Sequence, residues 1–319
     1  MNRPQVTIHN DLCDSNSEPV AWQFCAPIFI ADQFGIHFQS DSELFSPVPD
    51  KLPETRNGTL TFVEFEGKVY GITCRHVVDV LRQKNRENQE HWKKEYGIDY
   101  QLPSIAQYHF FIPKNQSQIH VNSHFHDAPG DQFTGERPDI SIARVAPGIL
   151  SSAGRKPIPL KADSSGQQVN EPGFCGIAIG YPEQKRSGST VNKMLNTLHV
   201  SEVAACAPFA SFENSLLMYA ELDEDPDIYN LSGMSGGPIL WSCDSGWGLA
   251  GIMKKARDIS NLPGQGEASF SDKPTIWVEG DRLTLSQLVE LMKSIPENEE
   301  PIQDLSKSLY IPKNFKPRI

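Results

Sequence analysis

Ser235 stands in Asn230-Leu231-Ser232-Gly233-Met234-Ser235-Gly236-Gly237-Pro238-Ile239-Leu240. Small residues on both sides of one serine let the backbone turn sharply and gather amide N–H groups around its hydroxyl, as an oxyanion site requires. The bland alternative is a glycine-rich loop between strands. A serine hydroxyl is a weak nucleophile until an imidazole takes its proton and a carboxylate fixes the imidazole tautomer. Two upstream segments offer these partners. His76 lies in Thr73-Cys74-Arg75-His76-Val77-Val78, where a strand passes into a helical turn, and Asp139 heads the alternating Asp139-Ile140-Ser141-Ile142-Ala143. Asp127 and Asp131 are also acids in this stretch, but neither begins an apolar alternation.

The same segment satisfies Gly-x-Ser-x-Gly, the nucleophile elbow of α/β-hydrolases, in which the acid and the histidine follow the serine. The last histidine here is His199, upstream of Ser235, so that order cannot be completed. His76, Asp139, Ser235 is the workable order.

These residues need elements to position them. Leu60 to Phe62 and Val69 to Thr73 flank Glu64-Phe65-Glu66-Gly67-Lys68, a hairpin by its turn chemistry. Val77 to Tyr96 reads as a short, mostly exposed helix. Strand-like pieces follow at 105–112, 119–121, 140–145, 177–179, 197–203, 216–222, 239–241 and 249–253. Many short strands between Gly, Pro, Asn and Asp point to barrels or a sandwich. Residues 156–166 read as a crossover between two units. Thr284 can cap a helix over 285–295, where Leu285, Leu288, Val289 and Met292 recur at helical spacing. The expected organisation is an N-terminal extension (1–50), a unit carrying His76 and Asp139 (51–150), a unit carrying Ser235 (151–281), and a C-terminal helix and tail (282–319).

Composition narrows the function. Lys plus Arg is 29 against 40 Asp plus Glu, a net charge of −11 among 319 residues, which disfavours a nucleic-acid partner. No run approaches the roughly 20 apolar residues of a membrane helix. The N-terminus lacks the basic and apolar halves of a signal peptide, and six scattered cysteines fit reduced thiols, so a soluble cytoplasmic protein is expected.

The three segments together resemble those of the trypsin-like, chymotrypsin-fold serine peptidases, particularly the bacterial branch that includes the HtrA-type enzymes. Gly58-Thr59, Cys175-Gly176-Ile177-Ala178-Ile179-Gly180-Tyr181-Pro182 and Gly248-Leu249-Ala250-Gly251-Ile252 match in the same order, over roughly residues 55 to 255. The resemblance implies an all-β fold of two antiparallel β-barrels with His76, Asp139 and Ser235 in the cleft between them. It also implies an oxyanion hole from the Gly233 and Ser235 amides, a protein or peptide substrate, and no cofactor. Met234 replaces the acid that pairs with a cleaved terminus in secreted relatives, so no zymogen switch carries over. Bacterial intracellular relatives often act as effectors in stress or anti-phage (antiviral) defence, which suggests an activating sensor protein as partner.

For specificity, the carry-over places Tyr229 at the base of the primary pocket and Met253, Lys254 and Lys255 along its wall, which does not favour cleavage after Arg or Lys. His120, His124 and His126 share strand parity near His109 and Asp127, but a polar loop explains them, and no metal is expected. Asn57-Gly58-Thr59 and Asn230-Leu231-Ser232 fit a glycosylation pattern that stays unmodified without export. The competing function is a silent binding module on a protease fold.

Overall fold

The structure is a computed structural model that describes residues 8–13, 20–31, 55–96, 110–114, 117–122, 124–130, 137–160, 175–183, 186–191, 194–200, 202–212, 214–221, 231–258 and 275–304. Among them, a first sheet is built from β1 (Cys25–Ala31), β2 (Thr55–Phe65), β3 (Lys68–Cys74), β4 (Phe110–Lys114), β5 (Ser117–Asn122), β6 (His126–Asp127), β7 (Ile140–Val145) and the short β8 (Ile158–Pro159). β9 (Cys175–Gly180) opens the second sheet, and β10 (Arg186–Val191) and β11 (Met194–Val200) form a separate hairpin. β12 (Val203–Ala207), β13 (Phe209–Phe212), β14 (Ser215–Glu221), β15 (Pro238–Cys243), β16 (Gly246–Asp258) and β17 (Thr275–Arg282) complete the second sheet. β18 (Gln303–Asp304) returns to the edge of the first. Apart from β8, which runs parallel to β2, the pairings between named strands are antiparallel. The second sheet runs in the order β12-β9-β15-β16-β17-β14-β13 and curls so that β12 meets β14. This is the all-β, two-barrel architecture expected from the sequence.

The hairpin that leads to His76 follows from its turn. Glu66 (φ 50°) and Gly67 (φ 73°) both take positive φ, the two-residue turn whose twist matches that of paired strands. Its second strand buries Val69 through Cys74, then gives way to α1 (Arg75–Tyr96), the helix expected over Val77 to Tyr96, begun two residues earlier. α2 (Pro147–Ala153) ends at Gly154, whose φ of 64° suits a left-handed cap. α3 (Leu285–Lys293) has the expected Thr284 cap, with Gln287 completing a capping box, and buries Leu288, Leu291 and Met292.

Two regions expected to lie outside the barrels supply strands instead. β1 falls inside the expected extension yet pairs along its whole length with β2, because Cys25, Ala26 and Ile28 can be buried against the first sheet. At the other end Ile302 is fully buried, donates to the Arg144 carbonyl at 2.7 Å and accepts from the Ala146 amide at 2.9 Å. β17 was not among the expected strands, although its Ile276, Val278 and Gly280 alternate inward.

One apolar cluster joins the sheets. Leu60, Phe62 and Ile72 of the first share it with Ile177, Ile179, Tyr181, Leu240 and Ile252 of the second. Each such side chain, when fully buried, stabilises the fold by roughly 1.5–3 kcal/mol. A second cluster, including Met218, Met234, Met253 and Val278, fills the second sheet alone. The seam between the sheets is therefore packed.

Candidate active site

Asp139 lies just before β7, and β7 pairs with β3 so that Cys74 faces Ile140. That register brings Asp139 to the start of α1. The Arg75 amide donates to the Asp139 carbonyl at 3.1 Å, and the His76 amide donates to Asp139 Oδ1 at 3.0 Å. The acid thus caps the helix N-terminus, where free N–H groups and the helix dipole favour an anion. The His76 ring meets the same carboxylate, Nδ1 to Oδ2 at 2.5 Å. Burial opposes charge on Asp139, but the hydrogen bonds from the His76 ring and amide, with the charges of His76 and Lys254, outweigh it and hold the carboxyl below its ordinary range.

Ser235 comes from the second sheet. Its loop is gripped by β2: the Thr59 amide donates to the Ser235 carbonyl at 2.8 Å, Thr59 Oγ1 to the Gly233 carbonyl at 2.9 Å, and Thr61 Oγ1 to the Gly236 carbonyl at 2.8 Å. Thr59, Thr61 and Thr73 are fully buried, and Thr73 Oγ1 donates to the Thr59 carbonyl at 2.7 Å. Gly233 (φ 99°) and Gly236 (φ 92°) adopt conformations that side chains disfavour. A Cβ at Gly236 would lie 2.0 Å from the Thr59 carbonyl oxygen, and one at Gly233 2.6 Å from that of Tyr181. Both glycines are dictated by close backbone approach.

Asn57, His76, Val80, Glu183, Gly233 and Ser235 are among the residues lining a cleft of about 450 Å³ between α1 and this loop. The structure brings the three sequence-predicted residues to one place but does not join all of them. The Ser235 hydroxyl donates to the Lys254 carbonyl at 2.9 Å, not to His76.

The expected pocket wall is revised. Met253 is fully buried in the core of the second sheet. Lys254, placed along the pocket wall, turns its ammonium to Asp281, Nζ to Oδ1 at 3.7 Å. Lys255 is exposed and lies opposite Glu279 in the ladder. Tyr229 lies outside the described residues, as do His109 and Asp131. Asp127 is engaged by Ser141 Oγ at 2.6 Å and by Arg82, away from His76. Of the histidine group, His120 is on β5, His124 is exposed, and His126 Nε2 lies 3.6 Å from Glu299.

Donor atoms of Cys74, His76 and Asp139 lie within 4.8 Å of one another, a set that a metal ion could use. Burial, with the charges of Asp139 and Asp281, pushes the Cys74 thiol well above its ordinary range, and its Sγ donates to the Met253 carbonyl at 3.1 Å. The thiol is protonated and occupied, so the trio is not preorganised for a cation.

Asn57, Thr59 and Asp281 were missed as site residues in the sequence. Asn57, noted only within a glycosylation pattern, donates from Nδ2 to the Tyr181 carbonyl at 2.8 Å. Asp281 Oδ2 accepts from the Asp139 amide at 3.0 Å. The alternation of β17 is the signal that would have placed Asp281 on a strand.

No protein-family model and no curated protein matches the chain. Among solved structures it is similar to a thermostable serine protease, AL20, from an extremophilic microorganism (12% identity, 86% of this chain and 96% of the other, TM-score 0.38). It is also similar to the inactive form of the Rv3671c protease (13%, 75% and 84%, TM-score 0.33) and to a human pathogenic astrovirus serine protease (13%, 83% and 92%, TM-score 0.32). Likeness at this level carries nothing about chemistry, which rests on the residues themselves.

Proposed function

We propose that the chain is a serine endopeptidase. The observation that carries this reading is the double grip of His76 on Asp139, through ring and amide, at the edge of a cleft that Ser235 also lines. Ser235 Oγ adds to the scissile carbonyl while His76 Nε2 takes its proton, and the Gly233 and Ser235 amides receive the oxyanion. The C–N bond then breaks as His76 returns the proton to the leaving amine. Water, deprotonated by the same imidazole, hydrolyses the acyl-enzyme. Asp139 keeps Nδ1 protonated so that Nε2 is free to act as base. The reading includes an HtrA-like affinity, a cytoplasmic setting, control by a partner as in defence effectors, and no preference for Arg or Lys. Met234, fully buried where zymogens of the resembling family carry an acid, supports control without zymogen cleavage, and Tyr229 supports the specificity; the effector role comes from the resemblance alone. Among the described residues, no helix is long and apolar enough to cross a membrane.

A second reading, a silent binding module, is favoured by the Ser235 hydroxyl resting on Lys254. A fluorophosphonate probe separates the two. The peptidase labels at Ser235, loses labelling in Ser235→Ala, and gains turnover with pH along a single ascending limb. Labelling that persists in Ser235→Ala, or no labelling and no peptide turnover even with cell extract added, sinks the reading.

A further inference from the structure

Lys254 occupies an irregular point in the second sheet. In the β16–β17 ladder Met253 faces Gly280 and Lys255 faces Glu279, so Lys254 is an extra residue with nothing opposite it. A bulge frees a carbonyl from the ladder and re-aims a side chain. Here the freed carbonyl accepts the Ser235 hydroxyl at 2.9 Å, and the ammonium reaches Asp281 at 3.7 Å. Asp281 in turn accepts the Asp139 amide at 3.0 Å. The side chains of Asp139 and Asp281 are 12% and 16% exposed, so two carboxylates share a poorly hydrated corner with one ammonium. Like charges at such a site are tolerated only when compensated.

Resting on the peptidase reading, we propose that Asp281 and Lys254 are positioning residues for the triad: Asp281 fixes the Asp139 backbone, and the Lys254 ammonium neutralises Asp281. The charged and titratable groups facing this corner are Cys74 from β3, His76 from α1, Asp139 before β7, Lys254 from β16, and Glu279 and Asp281 from β17. Burial raises the Asp281 carboxyl. Lys254 and the Asp139 amide oppose that rise, and the charges of Asp139 and Glu279 add to it. Lys254 is the one lysine or arginine in the set. Removing it leaves more negative charge beside the imidazole, whereas neutralising Asp281 leaves less.

The two substitutions therefore act in opposite directions. In Asp281→Asn, where the amide oxygen can still accept the Asp139 N–H, the ascending limb of kcat/KM moves to lower pH. In Lys254→Met it moves to higher pH, each by about 0.5 unit or more. The double variant returns close to wild type, Lys254→Arg keeps the wild-type limb, and Asp281→Ala loses roughly ten-fold or more in kcat/KM. NMR titration of the His76 ring in full-length Ser235→Ala, with each change added, reads the same shifts without turnover. Should Lys254→Met fail to fold, Asp281→Asn and Lys254→Arg carry the test. A limb and ring titration unmoved in the folded variants, or moved the same way by both, overturns the proposal. If the wild type neither labels nor turns over, the peptidase reading falls, and the ring titration alone decides whether the pair controls His76.

Discussion

Around Ser235 the polar contacts are neutral: backbone amides and carbonyls, with the buried threonines Thr59 and Thr61 of β2 holding the loop and Thr73 of β3 behind them. Around His76 they are charged: a carboxylate at a helix N-terminus, a second carboxylate behind it, and an ammonium from a bulge. Neutral hydrogen bonds keep their strength across pH and hold the loop by shape. Charged ones change with protonation and govern when the imidazole can accept a proton. The nucleophile loop is thus expected to be structural in its sensitivities, and the acid–base pair electrostatic.

The largest break in this comparison is Asp139→Asn. The asparagine cannot hold the imidazole in the required tautomer, so kcat should fall by about 10⁴-fold. The Asn Oδ1 can still accept from the His76 amide, which predicts a folded protein with near-native circular dichroism. A loss of fold instead would mean that the carboxylate is needed chiefly as the cap of α1.

Thr59→Val is the matching break on the neutral side. It leaves the Gly233 carbonyl and the Tyr181 amide, which reaches Thr59 Oγ1 at 3.1 Å, without partners in a buried setting. The expected cost is about 1–3 kcal/mol in urea unfolding, and kcat/KM falls as the loop loosens. The ascending limb of the pH profile should stay in place. A shifted limb would show that the two halves of the site are electrically coupled through the loop.

The division also explains how far the sequence could be read. Ser235, Gly233, His76 and Asp139 announce themselves because a glycine-rich turn, a strand-to-helix junction and the head of an apolar alternation are local patterns. The hairpin before His76 and the cap of α3 were legible for the same reason. Thr59, Asn57 and Asp281 were not, since their roles exist only across the seam, at sequence separations of 174, 124 and 142 residues. Nothing near Lys254 signals a bulge, so its side chain was expected to face substrate. β1 and Ile302 were misjudged for a related reason: a short apolar run flanked by polar residues declares its strand partner only in three dimensions.

The smallest expected effect is on stability against pH, and it turns on two carboxyls shifted oppositely. Asp139 is held below the usual 3.8, chiefly by His76 against the cost of burial, so its contribution is present above 3.8 and is lost as pH falls through the lowered value. Asp281 is raised above 3.8 by burial, so the fold prefers its protonated form. That contribution is present below 3.8 and is lost as pH rises through the raised value. On acidification from neutrality, Asp281 should first add stability, and Asp139 should then remove it below 3.8. Asp281→Asn abolishes only the first phase. Urea midpoints measured from neutral pH down to 3.8 should therefore rise less, relative to the protein's other groups, in Asp281→Asn than in wild type, at unchanged m value. Thr59→Val should lower the curve without altering its shape. If the wild-type and Asp281→Asn curves run parallel through that window, Asp281 is fully compensated by Lys254, and the corner is electrically closed.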